Sequence, residues 1–187
     1  MKRLHQTFLI LTIIWMLVIF LFSSQPSSTS ADTSGFFTNI VIDIFVPDYD
    51  SFDSITQQEI YNTASFIIRK CAHFTIYTIL SCLTFVTILS KRWLRHTDGY
   101  IYVNNRQAHS DIFKACRTRS ILGAISFSTV YAITDELHQG FVDGRVPAIF
   151  DVGIDSLGAI TGALFIGFVI SKIYNKKYKV RRKRLPG

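Results

Sequence analysis

Basic residues are missing from a long part of this chain: no lysine or arginine lies between Leu4 and Ile68, whereas six acidic residues do. The basic residues behind the net charge of +7 are instead concentrated at 2–3, 91–119 and 172–184. A protein that binds nucleic acid would show a basic groove with interleaved aromatic residues or a known binding motif. The chain has neither, so we expect no nucleic-acid partner.

Cysteine is also scarce, with three residues at Cys71, Cys82 and Cys116. The first two lie in one predicted helix, too far apart for a disulfide, and no Cys-x-x-Cys spacing indicates a zinc site. Histidine and acidic side chains of the types that bind zinc or manganese are present, but their spacing matches no known zinc pattern. The sequence therefore predicts no metal ligand and no cofactor.

Apolar residues are abundant: they make up 49% of the chain, and the mean hydropathy is +0.29. A membrane-spanning helix needs about 20 mostly apolar residues. The apolar segments predict four spans, at about 7–24, 71–90, 120–137 and 149–171. We therefore expect an all-α polytopic membrane protein with a four-helix transmembrane bundle, folded as a single domain over residues 1–187.

The basic residues predict the orientation of these spans, because cytoplasmic flanks are rich in lysine and arginine. Two precede the first span, seven lie at 91–119, which is expected to be a loop between the second and third spans, eight lie from Lys172 onward, and three lie at the opposite helix ends. Both termini should then be cytoplasmic, with a basic tail at 172–187 beside membrane lipids. The first apolar segment, followed by small residues at 29–31, also resembles a signal peptide, but its length favours an uncleaved anchor.

The segment after the first span is polar and then apolar. A serine-rich stretch at 23–30 is expected to be a turn-rich exit, and the apolar stretch at 36–46 is too short to span a bilayer. That stretch is expected to lie on the membrane surface or to cap the bundle. Ser54 and Gln57 fit a capping box, so a helix is predicted to begin there and to run into the second span.

Ionisable side chains recur at the ends of the predicted spans, where their desolvation cost makes them candidates for a functional site. Lys70, His73 and Tyr77 have the spacing i, i+3, i+7, which places them on one stripe of a helix. An ammonium, an imidazole and a phenol should then point in one direction from the outer end of the second span. Arg69 beside them can reach the membrane interface by itself.

A second group of polar residues ends the third span. Asp135, His138 and Gln139 lie on one side of a helix at i, i+3 and i+4, and Glu136 is turned about 100° away. Two adjacent acids at a helix C-terminus oppose the helix dipole, so capping does not explain them. They are therefore expected to need cations.

The cations on this side of the predicted membrane are Arg69, Lys70 and Arg145. Asp143-Gly144 is a turn signal, and such a turn would bring Arg145 back over the cluster. A purely structural salt-bridge cluster is the alternative, although buried ion pairs are often neutral for stability.

The fourth span begins with two acids on the helix stripe that continues into two glycines. Asp151 and Asp155 stand at i, i+4, and Gly158 and Gly162 follow them. Gly-x-x-x-Gly spacing permits close contact between spanning helices. The helix dipole explains Asp151 in the first turn, whereas Asp155 lies one turn deeper and is a stronger site candidate.

Four motifs follow one another along the chain: Ser23-Ser24-Gln25, Arg69-Lys70-Cys71-Ala72-His73 with Tyr77, Asp135-Glu136-x-His138-Gln139-x-Phe141-x-x-Gly144-Arg145, and Asp151-x-x-x-Asp155-x-x-Gly158-x-x-x-Gly162. Together they resemble the VanZ-like membrane proteins over about residues 8–170. The resemblance implies a small multi-pass protein of the bacterial cell membrane. It also implies a link to antibiotic resistance, since the member that gives the family its name is associated with resistance to the glycopeptide teicoplanin.

The first function that fits these residues is binding of a polar or lipid-linked ligand, such as a cell-wall precursor or a glycopeptide. Cationic side chains would hold its phosphate or carboxylate groups through charge-assisted hydrogen bonds. The expected ligand-binding residues are Arg69, Lys70, Tyr77, Glu136, Gln139, Arg145, Asp151 and Asp155.

Two alternatives remain open. An intramembrane hydrolase or transferase would use a histidine as general base, oriented by an acid, with Ser23 or Ser24 as nucleophile if the first helix packs beside the others. Its expected catalytic residues are His73, His138 and Asp135. An ion-coupled transporter would use the same acids as a relay and would need a homodimer, because four helices are few for transport.

Overall fold

The computed structural model describes residues 2–99 and 106–183, and every regular element within these ranges is helical. The elements are α1 (Lys2–Ser23), α2 (Ser27–Phe45), a short 3-10 turn (Tyr49–Ser51), α3 (Ser54–Gly99), α4 (Arg106–Gln139) and α5 (Ile149–Lys183). The all-α class expected from the sequence is confirmed.

Helix α3 is the centre of the molecule, because it contacts each of the other four helices and has its largest interface with α5. Helix α4 packs against both α3 and α5, and α1 packs against α3 and, less extensively, α4. The helices α1, α3, α4 and α5 thus form a four-helix bundle. One part of its core contains Phe85, Leu89, Cys116, Ala124 and Ala163.

Three helices within the described residues are long and apolar enough to cross a membrane: α1, the Ser54–Leu94 part of α3 and the Ile149–Lys176 part of α5. Helix α4 contains the expected span 120–137 but does not meet this criterion. Its polar residues explain the difference, since Ser120, Ser128 and Asp135 are buried inside the bundle. Helix α4 is therefore the more polar fourth helix of the bundle.

The basic 91–119 segment, expected to be a loop, is helical in the parts that the structure describes, up to Gly99 and again from Arg106. Aromatic packing accounts for this extension. The rings of Phe113 and Tyr174 stack with centroids 3.7 Å apart, and Trp93 meets Phe113 edge-on at 5.8 Å. These contacts join the ends of α3, α4 and α5 and stabilise helix where the charge pattern alone predicted loop.

Side-chain hydrogen bonds fix α1 within the bundle. Trp15 Nε1 donates to the backbone oxygen of Ile76 at 2.9 Å, and the Tyr131 hydroxyl donates to the backbone oxygen of Met16 at 2.8 Å. Ile19 is buried in the same core cluster. Residues that follow α1 are thereby held close to α3 and α4.

The serine-rich stretch was expected to be a turn-rich exit. It is helical instead from Ser27 onward, where α2 begins. Ser34, Gly35, Thr38 and Ile42 are buried along one side of α2, and the helix packs against α3. Small side chains allow this close approach, so tertiary packing overrides the weak helix propensity of serine and threonine. The opposite side of α2 exposes large apolar side chains.

The N-terminus of α3 also differs from the predicted capping box. Asp53 is the capping residue, since its carboxylate accepts hydrogen bonds from the backbone amide and the hydroxyl of Thr56 at 3.0 and 3.3 Å. These bonds lower the pKa of Asp53. Gln57 instead donates its amide to the backbone oxygens of Tyr49 and Phe52, at 3.2 and 3.0 Å.

The close approach of α3 and α5 occurs at the predicted glycines. A methyl group at Gly158 would collide with the backbone oxygen of Phe74, and one at Gly162 with the backbone oxygen of Thr78. Two side chains bridge the same contact: the Thr78 hydroxyl donates to Gly158 O at 3.1 Å, and Cys82 Sγ donates to Gly162 O at 3.3 Å. The Gly-x-x-x-Gly prediction is confirmed, and this contact sets the register between the acids of α5 and the cations of α3.

Candidate functional site

Polar side chains converge at the end of the bundle where α1 and α4 end and α5 begins. Lys70 of α3 forms an ion pair with Asp151 of α5, and one helical turn further His73 Nδ1 lies 3.2 Å from Asp155 Oδ1. The side chain of Asp155 is fully buried. The predicted stripe on α3 and the predicted pair on α5 therefore face each other.

Asp135 of α4 is buried and its carboxylate forms no direct ion pair within the described residues, although His73 and Arg145 lie near it. Its carboxylate accepts a hydrogen bond from the amide of Gln139 at 3.4 Å. The hydroxyls of Ser23 and Tyr77 lie beside it without reaching hydrogen-bonding geometry. Helix α1 packs beside α3 and α4 and places Ser23 near this carboxylate, so the packing condition of the hydrolase hypothesis is met.

Glu136 turns away from Asp135 as predicted, but this direction leads into the α3–α5 interface. Its Oε2 accepts a hydrogen bond from the backbone amide of Ala148 at 2.9 Å, whereas its Oε1 is buried with no hydrogen-bond partner among the described residues. One ligand atom each from His73, Glu136 and Asp155 lie within 4.8 Å of one another. The sequence did not indicate this group, because its members come from three helices.

His138 does not join this group. Its ring stacks on Phe20 with centroids 4.7 Å apart, and Nε2 lies 3.0 Å from the Ser24 hydroxyl. The structure thus directs His138 towards α1, while Asp135 and Gln139 point into the bundle. The three residues lie on one side of α4, as the spacing predicted, but His138 contacts the end of α1 at the edge of the group that Asp135 and Gln139 form.

The loop between α4 and α5 carries Arg145 back over the site. Gly144 adopts a φ of +72°, a left-handed conformation that favours glycine, so the predicted turn is confirmed. Arg145 Nε donates to the backbone oxygen of Gln25 at 3.2 Å, and Nη1 donates to Gln139 Oε1 at 3.3 Å. Partial burial lowers the pKa of Arg145, which the nearby carboxylates of Asp135 and Glu136 oppose.

Two adjoining cavities of about 290 Å³ each open onto these residues. They share a wall formed by Ser30, Arg69, His73, Gln139 and Arg145. The first, which we call the apolar cavity, is lined beyond this wall mainly by Ile19, Phe22, Phe37, Ile68 and Ile76. The second, which we call the polar cavity, is lined by Lys70, Asp151 and residues of the α4–α5 loop.

Comparison with known proteins decides the family. A family model described as VanZ/LLP1 matches residues 8–170. The chain belongs to the VanZ/LLP1 family. Comparisons with curated proteins and with solved structures give no match. The family and the three long apolar helices together identify this VanZ/LLP1 protein as a membrane protein and confirm the resemblance drawn from its motifs.

The structure places most of the expected site residues of this VanZ/LLP1 protein together. Exposed Arg69 has neither an ion pair nor a side-chain hydrogen bond within the described chain and lies on the shared wall. Tyr77, Glu136 and Asp155 are buried behind the cavities and line neither of them. Ser27 and Ser30 of α2 were missed, because the sequence predicted a turn where they lie on a helix.

Proposed function

We propose that this protein binds an anionic envelope ligand with an apolar portion, such as a lipid-linked cell-wall precursor or a glycopeptide carrying an acyl chain. The observation that carries the proposal is the pair of adjoining cavities. An apolar chain fits the apolar cavity between α1, α2 and α3, while a charged head group fits the polar cavity beside Lys70 and Asp151. Family membership suggests a role associated with glycopeptide resistance.

The wall shared by the two cavities supports an anionic head group. Arg69 has no ion pair or side-chain hydrogen bond within the described residues, and Arg145 donates two hydrogen bonds, one to a backbone oxygen and one to a neutral amide. The Arg69 guanidinium and the remaining N–H groups of Arg145 are therefore available for charge-assisted hydrogen bonds to phosphate or carboxylate oxygens. Lys70 is less available, because Asp151 already neutralises it.

We also propose that the protein crosses the bacterial cell membrane several times with both termini in the cytoplasm. Contacts between helix ends support this arrangement: His5 Nδ1 lies 3.1 Å from the backbone oxygen of Thr87, and the ring of His109 stacks on Tyr174. The start of α1, the C-terminal part of α3, the start of α4 and the C-terminal part of α5 thus share one end of the bundle. Most of the basic residues lie at that end, as cytoplasmic flanks do.

The binding proposal is tested with the full chain in a Gram-positive host and in lipid nanodiscs. Arg69→Ala and Arg145→Ala should each abolish protection against teicoplanin and weaken binding of a polyprenyl pyrophosphate at least tenfold, since a hydrogen bond to a charged group is worth about 1.5–3 kcal/mol. Lys172→Ala, which removes an exposed cation far along α5, is the matched control and should leave both readouts unchanged. Immunoblots verify equal abundance in the membrane.

Failure of the wild-type protein both to protect and to bind would contradict the proposal. A loss of abundance in both arginine variants would instead favour the structural salt-bridge alternative. His73 lines both cavities and contacts Asp155 buried behind them, which gives specific support to the hydrolase alternative, because an acid orients the imidazole of a general base. His73→Gln separates the two: binding should survive this change, whereas turnover of the bound probe should stop.

A further inference from the structure

We infer that His73, Glu136 and Asp155 form a binding site for one divalent metal cation between α3, α4 and α5. The inference goes beyond the proposed ligand-binding function and does not depend on it. One nitrogen and two carboxylate oxygens from these residues lie within 4.8 Å of one another. Bonds of about 2.0–2.2 Å to a metal ion place tetrahedral ligand atoms about 3.5 Å apart, so a cation would draw the three side chains closer together.

Unpartnered oxygen atoms point to a cation at this position. Glu136 Oε1 and Asp155 Oδ2 are buried and have no hydrogen-bond partner among the described residues, and both side chains are more than nine-tenths buried. Such atoms carry a large desolvation cost unless a partner compensates it. Each of the two carboxyl groups thus carries an unpartnered oxygen and also places one oxygen within 4.8 Å of an imidazole nitrogen, which together form a partial coordination shell.

The basic side chains nearby do not fill this role. Lys70 is paired with Asp151, and the hydrogen bonds of Arg145 go to Gln25 O and Gln139. His73 contacts Asp155 through Nδ1 but leaves the second oxygen of this acid without a partner. A divalent ion would neutralise both buried carboxylates at once.

The ligand set selects the class of cation. One imidazole with two carboxylates suits Zn²⁺ or Mn²⁺, whereas Mg²⁺ prefers oxygen ligands alone and retains several waters. Other partners hold the ligands in place: Glu136 Oε2 is fixed by the amide of Ala148 at 2.9 Å. Outer contacts of this kind orient ligands in metal sites. His73 also lines both cavities, so solvent reaches the site from this side.

The test measures metal binding by the full chain in detergent, purified through a tag that contains no histidine and stripped with a chelator. After dialysis against Zn²⁺, Mn²⁺ or Mg²⁺, mass spectrometry of the elements gives the metal content per chain. Wild type should retain about one equivalent of Zn²⁺ or Mn²⁺ and little Mg²⁺. Glu136→Gln and Asp155→Asn keep the side-chain shapes and should each weaken binding at least tenfold, because even outer-shell changes cost about 10–100-fold.

The matched controls are Asp143→Asn and His138→Gln, which change one acid and one histidine at the same end of the molecule but outside the site. Both should bind metal as wild type does. The inference is overturned if wild type retains no metal, or if the two site variants bind as tightly as wild type, which would indicate an adventitious ion only. If a site variant fails to elute as a monodisperse protein, His73→Gln takes its place under the same criterion.

Discussion

At the scale of single residues, the site contains acids held in different ways. Among those beside the cavities or the α4–α5 loop, Asp151 has a cation, Lys70; Asp135 has a neutral amide and lies beside two hydroxyls; and Glu136 has one backbone amide, while the deeper Asp155 contacts the imidazole of His73. Removing one partner of a buried ion pair leaves an uncompensated charge. The pair between Lys70 and Asp151 is therefore where a single substitution should have the clearest effect on stability.

Lys70→Ala should lower the free energy of unfolding by about 1–3 kcal/mol. This is less than the about 3–5 kcal/mol lost when a fully buried pair is broken, because 22% of the Lys70 side chain and 15% of the Asp151 side chain remain exposed. The double variant Lys70→Ala/Asp151→Asn should recover part of this loss in the free energy of unfolding, because it leaves no unpaired carboxylate. Unfolding in detergent measures all four members of this double-mutant cycle.

The exposed Lys114 on α4 supplies the control for this cycle, since its side chain is 66% exposed. Lys114→Ala should change the free energy of unfolding by less than about 0.5 kcal/mol. Equal effects of the two lysine substitutions, or strict additivity of the Lys70 and Asp151 changes, would show that the pair does not stabilise the fold.

The sequence predicted which residues form the site better than how they face one another. The helical spacing correctly placed Lys70 and His73 on one stripe opposite the acids of α5. It did not reveal that His138 faces α1, or that Glu136 meets His73 and Asp155. Those contacts depend on the rotation of α4 against two other helices, which the spacing within one helix does not contain.

At the scale of helices, the contact between α3 and α5 aligns the two halves of the site. It is possible because Gly158 and Gly162 present no side chain to the backbone of α3. Close backbone contact is a principal source of helix association in membranes, where lipid is as apolar as the side chains. A larger side chain at either glycine should therefore push α3 and α5 apart, and with them the two halves of the site.

Gly158→Ala and Gly162→Ala should each lower the free energy of unfolding by about 1–3 kcal/mol, the usual cost of overpacking. The added methyl group meets backbone oxygen of Phe74 or Thr78, which cannot move as a side chain does. Gly153→Ala is the matched control, because a methyl group there meets nothing within 4 Å. It should be neutral or stabilising by up to about 1 kcal/mol.

Unfolding in detergent, followed by tryptophan fluorescence, compares the three glycine variants. If Gly158→Ala and Gly153→Ala have the same stability, the helices are not in backbone contact at Gly158.

The glycine spacing in the sequence predicted this contact. The sequence did not predict α2 or the long ends of α3 and α4. Those helices are stabilised by the packing of small residues and of an aromatic cluster rather than by local helix propensity.

At the scale of the whole molecule, charge and topology agree. The site lies at the end of the bundle opposite the start of α1, the end of α3 and the start of α4, and most of the basic residues belong to the segments at that opposite end. The apolar segments of the sequence predicted four spans, whereas three helices within the described residues are long and apolar enough to cross a membrane. Helix α4 accounts for the difference. Its polar residues are buried against α3 and α5, so they lower the mean hydropathy of the helix without being exposed to lipid.

Cysteine labelling tests the proposed orientation. In a variant that lacks cysteine through Cys71→Ser, Cys82→Ser and Cys116→Ser, a membrane-impermeant maleimide should label Asp143→Cys in intact cells. It should label Lys114→Cys only after the cells are made permeable, since that residue lies on the basic side, which should be cytoplasmic. Both positions are exposed, so accessibility within the fold does not favour either one.

The opposite labelling pattern would invert the orientation and place the cavities on the cytoplasmic side, where an extracellular glycopeptide would not reach them. Labelling of both positions in intact cells would indicate that α4 does not cross the membrane. The second result matters most for α4, because its burial between α3 and α5 is the reason to treat it as a span despite its polar composition. Teicoplanin protection by the cysteine-free background verifies that the labelled protein retains its fold.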